Sequence, residues 1–175
     1  MNETPSGLLV PDSCVEAVDR SAQEALRRYY EGMAKLEKTF PQLVKLAAAM
    51  AGQIDQAASE KGVAPEGVIL EVAKWHPDGT VVVAVSFDTK AKRVDTNDAA
   101  MGNFNTLADI NERYPQAVEL AMSLAFQLVS VVNAKKLLPG EIEVTKPLWN
   151  SIRGWITFKM LAGGEVIHAP TRILI

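Results

Sequence analysis

GVILEVAKWHPDGTVVVAVSF, residues 67–87, is the stretch from which the fold can be predicted. In its centre, Pro77 fixes φ at the second position of a turn and Gly79 can adopt the left-handed conformation, which favours a type I turn. Runs rich in β-branched residues flank this turn on both sides. The segment therefore predicts a β-hairpin in which His76 pairs with Thr80.

Both faces of this predicted hairpin are largely apolar. Its register places Trp75 and Ile69 on one face with Val81, and Val68 on the other face. Because apolar sheet faces must be covered, helices are expected on one face and more sheet or a second copy of the chain on the other. Together with the C-terminal segment RILI at 172–175, which is apolar from residue 173 to Ile175, this predicts a homo-oligomer.

Two amphipathic helices are predicted ahead of the hairpin. Apolar residues recur at three- and four-residue steps over 15–36 and again over 43–57. Pro41 separates the two stripes, because proline disfavours helical backbone in the residue before it. The sequence thus predicts an N-terminal helical hairpin, preceded by a flexible arm at 1–11 that contains two prolines and a glycine.

The rest of the chain predicts one long helix and three strands. The longest apolar stripe, 107–132, indicates a central helix that Pro115 should kink or split. Strands are expected at 142–144 and on both sides of Gly163-Gly164, a pair suited to a type I′ turn. The order ααββαβββ predicts an α+β fold with a mostly antiparallel sheet, in a single domain at 12–175.

Between the β-hairpin and the central helix, residues 88–105 show no periodicity. They contain three cations, Lys90, Lys92 and Arg93, with acids on both sides. Long loops without secondary structure in a compact domain are usually functional or disordered. The sequence therefore predicts a mobile loop that can close over a bound strand.

Composition and motifs narrow the class of protein. The net charge of −3 gives no strong field for an anionic partner. A single cysteine, the lack of a secretion signal, and the polar Glu119 and Gln127 in the longest apolar stretch predict a cytoplasmic protein without a membrane span. No zinc, calcium, phosphate-loop or nucleophile-elbow pattern is found, so no metal or cofactor is predicted. An enzyme whose site forms from distant residues stays an open alternative.

The C-terminal hairpin carries the functional prediction. Its turn places Ala162 opposite Glu165, and the same register puts three further pairs on the face away from the core: Lys159 with His168, Thr157 with Pro170, and Trp155 with Arg172. A ring among cations, with no acid on the face, is typical of sequence-tolerant single-strand binding, in which bases stack on rings and cations contact phosphates. The alternative is a solvated face whose cations keep a sheet edge soluble.

Regional charge favours the binding interpretation, because residues 134–175 contain six Lys and Arg against three Glu. We therefore expect a non-enzymatic, single-stranded nucleic-acid-binding protein, such as a replication or transcription accessory factor. The predicted binding residues are Lys90, Lys92, Arg93, Trp149, Arg153, Trp155, Lys159, His168 and Arg172. The competing prediction is an acidic protein-interaction module, a chaperone or adaptor that offers its amphipathic helices or its apolar hairpin to a protein partner.

Overall fold

Two long helices open the fold. The computed structural model describes residues 12–71, 74–94 and 104–168, with side chains from residue 19 onward. Helix α1 spans Asp12–Thr39 and α2 spans Pro41–Glu60, and together they form the predicted helical hairpin. Pro41 takes the first position of α2, where its missing N–H costs no helical hydrogen bond. The arm predicted at 1–11 lies outside the described residues.

The predicted central helix is split. Helix α3 spans Leu107–Arg113 and α4 spans Pro115–Lys135. The Thr106 hydroxyl accepts a hydrogen bond from the Asp109 amide at 3.1 Å, which satisfies a free donor in the first turn of α3. The break before Pro115 confirms the prediction, since proline starts a helix more readily than it continues one.

Helix α4 is long and apolar enough to cross a membrane, judged by length and composition alone. Glu119 and Gln127 therefore do not by themselves exclude a membrane span. Eight residues of α4 are buried in the core of the fold. A buried core helix meets the same criterion of length and composition.

The described residues form seven strands in one antiparallel sheet. Their bounds are β1 Val68–Leu70, β2 Lys74–Trp75, β3 Thr80–Phe87, β4 Ile142–Val144, β5 Leu148–Asn150, β6 Trp155–Ala162 and β7 Glu165–Val166. β3 pairs with β6 at the centre, β1 and β2 pair with β3, and β4, β5 and β7 pair with β6. The α+β class and the antiparallel sheet predicted from the sequence are confirmed.

The helices cover one face of the sheet. Six alternating residues of the two central strands are buried against them: Val81, Val83, Val85, Ile156, Phe158 and Met160. The opposite face, which we call the outer face, carries Trp155, Thr157 and Lys159. No described element covers it, and Ile69 and Leu148 on this face are 52% and 65% exposed. Helices cover one face as predicted, and cover of the outer face by a second copy of the chain stays a prediction.

The strand pairing of the first hairpin is as predicted near its turn and is displaced by one residue further from the turn. Trp75 pairs with Val81 as predicted, and the His76 amide donates to the Thr80 carbonyl at 2.8 Å. Further along, however, Leu70 pairs with Val85. Between these pairs, the β1–β2 side therefore contains one more residue than β3. One extra residue on one strand is what defines a β-bulge.

The shift exchanges the two faces of β1. Val68 is buried and Ile69 is exposed, so the prediction that Ile69 shares a face with Val81 is wrong. The reason is that side chains alternate with a period of two, and a shift of one residue moves each of them to the other face. The same shift brings Glu71 to the outer face, where its side chain is exposed.

The C-terminal hairpin has the predicted turn, but the strand pairing beyond the turn differs from the prediction. Ala162 pairs with Glu165 across Gly163 and Gly164, whose φ values of 61° and 82° are those that a type I′ turn needs. The Ile167 amide still donates to the Met160 carbonyl at 2.8 Å. From Lys159 to Trp155, the same edge of β6 pairs with β3.

The predicted pairs beyond this point are therefore wrong. Lys159 lies opposite Thr80, Thr157 opposite Val82, and Trp155 opposite Ala84, because β3 occupies these positions. The other edge of β6 at Trp155 and Thr157 is occupied by β5. With both edges of β6 occupied, no place remains for the predicted pairing partners Pro170 and Arg172, which lie outside the described residues.

Candidate nucleic-acid interface

Trp155 and Arg153 form the most distinctive feature of the outer face. The guanidinium carbon of Arg153 lies 5.2 Å from the centre of the Trp155 ring, a cation–π contact. Arg153 is exposed and Trp155 is half-buried. A guanidinium and an aromatic ring are the two kinds of side-chain group on which nucleic-acid bases stack.

The turn before β6 sets the position of Arg153. The Asn150 side-chain oxygen accepts hydrogen bonds from the amides of Ile152 at 3.1 Å and Arg153 at 3.0 Å. Gly154, with φ of 69°, then returns the chain to β6 and accepts a hydrogen bond from the Val85 amide. The turn leaves the Ile152 side chain 95% exposed beside Arg153.

Lys159 lies on the same face as Trp155, four residues along β6. At the usual rise of a strand, the two positions are about 13 Å apart. Lys74 is also exposed, and its strand pairs it with Val82 on this face. The outer face thus carries a ring and a cation at one end and further cations towards the other.

An acid also lies near Lys159, so the prediction that this face has no acid is wrong. The Asp78 carboxylate accepts a hydrogen bond from the Thr80 amide at 2.9 Å. This bond, together with the nearby charges of Lys159 and His76, holds the pKa of Asp78 below its ordinary value. Sequence reasoning missed it because the first hairpin, which carries Asp78, had not been placed beside β6.

His168 is exposed, and its Nδ1 lies 2.8 Å from the Pro77 carbonyl oxygen. It therefore sits at the turn of the first hairpin instead of opposite Lys159. Arg172, the last residue of the predicted set, lies outside the described residues.

Trp149 lies on the opposite face from Trp155, so its assignment to the interface is wrong. β5 pairs Trp149 with Ile156, whose side chain is buried, and paired residues share a face. Its ring is half-buried against the core and meets Phe87 edge to face, with 6.4 Å between ring centres. A three-residue strand gives too short a pattern for its facing to be predicted.

The cations of the predicted loop divide into two groups. Lys90 and Lys92 are exposed, whereas the Arg93 side chain is only 6% exposed. Arg93 Nη2 donates to the Asp55 carboxylate at 3.0 Å and its Nε to the Val63 carbonyl at 3.1 Å. The prediction that Arg93 contacts nucleic acid is wrong, because its guanidinium is held in the core by a carboxylate.

The first part of this loop is also fixed to the helices. The Ala64 amide donates to the Ala91 carbonyl at 2.8 Å, and the Arg93 amide donates to the Gly62 carbonyl at 2.9 Å. These bonds join residues 91–93 to residues 62–64, and the mobility of the loop stays a prediction. Residues 95–103 lie outside the described residues.

Sequence reasoning missed the polar cluster into which Arg93 inserts. Asp55 of α2 is fully buried. Its Oδ1 accepts hydrogen bonds from Arg93, from Arg113 Nε at 3.3 Å, and from the Tyr114 hydroxyl. We call these four residues the Asp55 cluster. The available signal was an acid between Ile54 and Ala58 on the apolar side of α2.

Three of the four side chains of the Asp55 cluster are almost completely buried, and Arg113 is 19% exposed. Burial raises the pKa of the Tyr114 hydroxyl, and the hydrogen bond to Asp55 raises it further, so Tyr114 keeps its proton. An acid beside a tyrosine would suit acid–base chemistry if a substrate had access to it. Because Asp55 and Tyr114 are both 0% exposed, the cluster instead joins α2, the α3–α4 junction and the segment after β3.

An open groove of about 530 Å³ lies beside the start of α4. Three glutamates line it: Glu66, Glu112 and Glu119. Arg113 is also in the lining, which leaves a formal charge of −2 (1 − 3) that repels phosphates, so the groove is a poor site for a nucleic acid. In the described part of the chain, no group of His, Cys, Asp and Glu is arranged to hold a metal ion.

Comparison with protein-family models, with curated proteins and with solved structures finds no match to this chain.

Proposed function

We propose that the outer face binds single-stranded nucleic acid without catalysing a reaction on it. The observation that carries this proposal is the cation–π contact between Arg153 and Trp155, which lies at a turn on a sheet face that the described helices leave open. Aromatic and guanidinium planes can stack on any base, so the binding is expected to tolerate different sequences.

The charges of the face indicate a path for the strand. Arg153 lies in the turn before β6 and Lys159 lies within β6, and both are exposed, so phosphates can contact both. Glu71 and Asp78 lie towards the β1–β2 side and repel phosphates. We therefore place the strand along β6 and β5, with Lys90 and Lys92 reaching it from the end of β3.

Replacing Trp155 with alanine is the experiment that tests this function. Losing one base–aromatic stack should cost about 1–3 kcal/mol of binding, a rise in Kd of roughly 5- to 150-fold. Trp155→Phe keeps a ring and should retain most of the affinity. Affinity is measured by the fluorescence anisotropy of a labelled single-stranded oligonucleotide, and circular dichroism checks the fold of each variant.

Two charge variants test the same proposal, because their expected effects on binding affinity have opposite signs. Lys159→Ala should weaken binding and make it less dependent on salt, whereas Lys45→Ala, an exposed lysine on α2, should leave binding unchanged. Asp78→Asn should strengthen binding, because it removes a repelling charge while its side-chain oxygen can still accept from Thr80. A folded Trp155→Ala protein that binds as tightly as wild type would reject the proposal and favour the protein-interaction module.

A further inference from the structure

The side of α4 that faces away from the core carries large apolar residues. Phe126 is 80% exposed and Val129 is 45% exposed, and Met122 between them and the start of the helix is half-buried. The opposite side of α4 packs into the core with eight buried residues. Neighbouring apolar side chains that keep much of their surface in water are a feature of interaction surfaces.

These residues belong to one stripe along the helix, which we call the α4 seam. Steps of three and four residues alternate along it, from Glu119 to Met122, Phe126, Val129, Asn133 and Lys136. Residues three and four apart lie on one side of a helix, and this alternation is the spacing with which two helices pack side by side. All six side chains are exposed or half-buried.

The α4 seam has opposite charges at its two ends. Glu119 lies near the start of α4, and Lys136 is the residue that caps its C-terminal end. Both are exposed, and no ion pair joins either of them to another described residue. Glu119 also lines the acidic groove beside the start of α4. One end of the seam therefore attracts a cation, and the other end supplies one.

The α4 seam is complementary to a second copy of itself in one orientation only. The midpoint between Phe126 and Val129 is also the midpoint between Glu119 and Lys136. Two antiparallel seams related by a two-fold axis at this point therefore place Phe126 opposite Val129 of the second copy and Glu119 opposite its Lys136. Parallel seams would instead place Glu119 opposite Glu119 and Lys136 opposite Lys136. Charge thus favours the antiparallel pair and disfavours the parallel one.

We propose that two copies of the chain form a symmetric dimer by packing their α4 seams antiparallel. Each copy offers the same surface, as a two-fold interface requires. The apolar side chains of Phe126 and Val129 from both copies cover one another at the centre, and an ion pair between Glu119 and Lys136 joins the copies at each end. Met122 lies opposite Asn133, and a single polar residue in an apolar seam fixes the register of paired helices at some cost in stability.

The size of the α4 seam indicates how tightly the dimer holds together. At 1.5 Å per residue, the seam is about 26 Å long. One helix from each copy makes an interface at the small end of specific protein interfaces, which is the range of weak and transient complexes. The dimer is therefore expected to form and dissociate with the protein concentration.

The α4 seam lies on the helical side of the fold, whereas the proposed nucleic-acid interface lies on the outer face of the sheet. The dimer is therefore independent of the proposed function. It also differs from the homo-oligomer predicted from the sequence, which used the apolar β-hairpin and the C-terminal segment. Variants on the two sides of the molecule distinguish these two interfaces.

Sedimentation equilibrium over a series of protein concentrations tests the dimer. A single chain has a mass of 19.0 kDa, so the average mass of wild type should rise towards twice that value as the concentration increases. Phe126→Asp should raise the dimer Kd by about tenfold or more, because it places two unpaired like charges at the centre of the seam. Ile69→Asp, at an exposed position of the first hairpin, is the matched control and should leave the Kd unchanged.

A charge exchange tests the antiparallel orientation. Glu119→Lys and Lys136→Glu should each raise the Kd by about fivefold, because each places like charges opposite one another at both ends of the dimer, and the double variant should restore the wild-type Kd. Both positions are exposed, so these variants should fold, which circular dichroism checks.

Three results would overturn the proposal. A wild type that stays monomeric at every concentration would leave the α4 seam to a partner of another sequence. A dimer that is lost with Ile69→Asp and kept with Phe126→Asp would place the interface on the first hairpin. Single charge variants that the double variant does not rescue would exclude the antiparallel register.

Discussion

Asp55→Asn is expected to lower the free energy of unfolding by about 3–5 kcal/mol, the usual cost of breaking a buried ion pair by removing one partner. The carboxylate is the common acceptor for Arg93, Arg113 and Tyr114. Asparagine removes the charge and leaves the Arg93 guanidinium, 6% exposed, without its carboxylate. Urea denaturation followed by circular dichroism measures the change.

Asp88→Asn is the matched control for this variant. Asp88 is exposed, and its oxygen accepts from the Lys90 amide at 3.0 Å, a role that an asparagine oxygen can keep. Its effect should stay within about 0.5 kcal/mol, as for most surface substitutions. Equal and small losses for both variants would show that the Asp55 cluster does not hold α2 and the segment after β3 together.

Gly79→Ala is expected to destabilise the fold by about 2–6 kcal/mol, because a strained backbone and an overpacked contact each cost about 1–3 kcal/mol. Gly79 has φ of 94°, and a Cβ placed on it would lie 2.1 Å from Val166 Cγ1 and 3.0 Å from the Ile167 carbonyl oxygen. The turn of the first hairpin would have to separate from β7. Thermal denaturation measures the loss.

Gly164→Ala separates the two causes. Gly164 has a similar φ of 82°, but no atom lies within 4 Å of an added Cβ. It should therefore cost only the backbone strain, about 1 kcal/mol. If Gly79→Ala costs no more than Gly164→Ala, the close contact between the first turn and β7 is not part of the native fold.

Local sequence signals predicted most of the secondary structure. Apolar periodicity located α1, α2 and α4, and proline at 115 located the split between α3 and α4. The glycines at 79, 163 and 164 located the two turns, because left-handed backbone favours glycine. Each of these signals depends only on residues close together in the chain.

The errors arose where distant segments compete or pair. The shift in β1 could not be seen because both faces of the predicted hairpin are apolar, so either register satisfies the alternation. Alternation also cannot tell which strand takes an edge of β6, and β3 displaced the predicted partners of Trp155. The pairing of Arg93 with Asp55 joins residues 38 positions apart and leaves no local pattern.

The same reasons explain which residues of the predicted interface were assigned to the correct face of the sheet. The turn at Gly163-Gly164 fixed which residues of β6 face outward, so Trp155 and Lys159 were placed correctly away from the buried Phe158. Arg93 and Trp149 were assigned from composition and nearness in sequence, and neither property determines the face on which a side chain lies.

The most direct test of the proposed function is the binding of wild-type protein to a labelled single-stranded oligonucleotide over a series of salt concentrations. Four exposed cations, Lys90, Lys92, Arg153 and Lys159, are available to contact phosphates. At about 0.7 per phosphate contact, the slope of log K against log salt should be roughly −2 to −3. Absence of binding at low salt, or an affinity that does not change with salt, would contradict the proposed function.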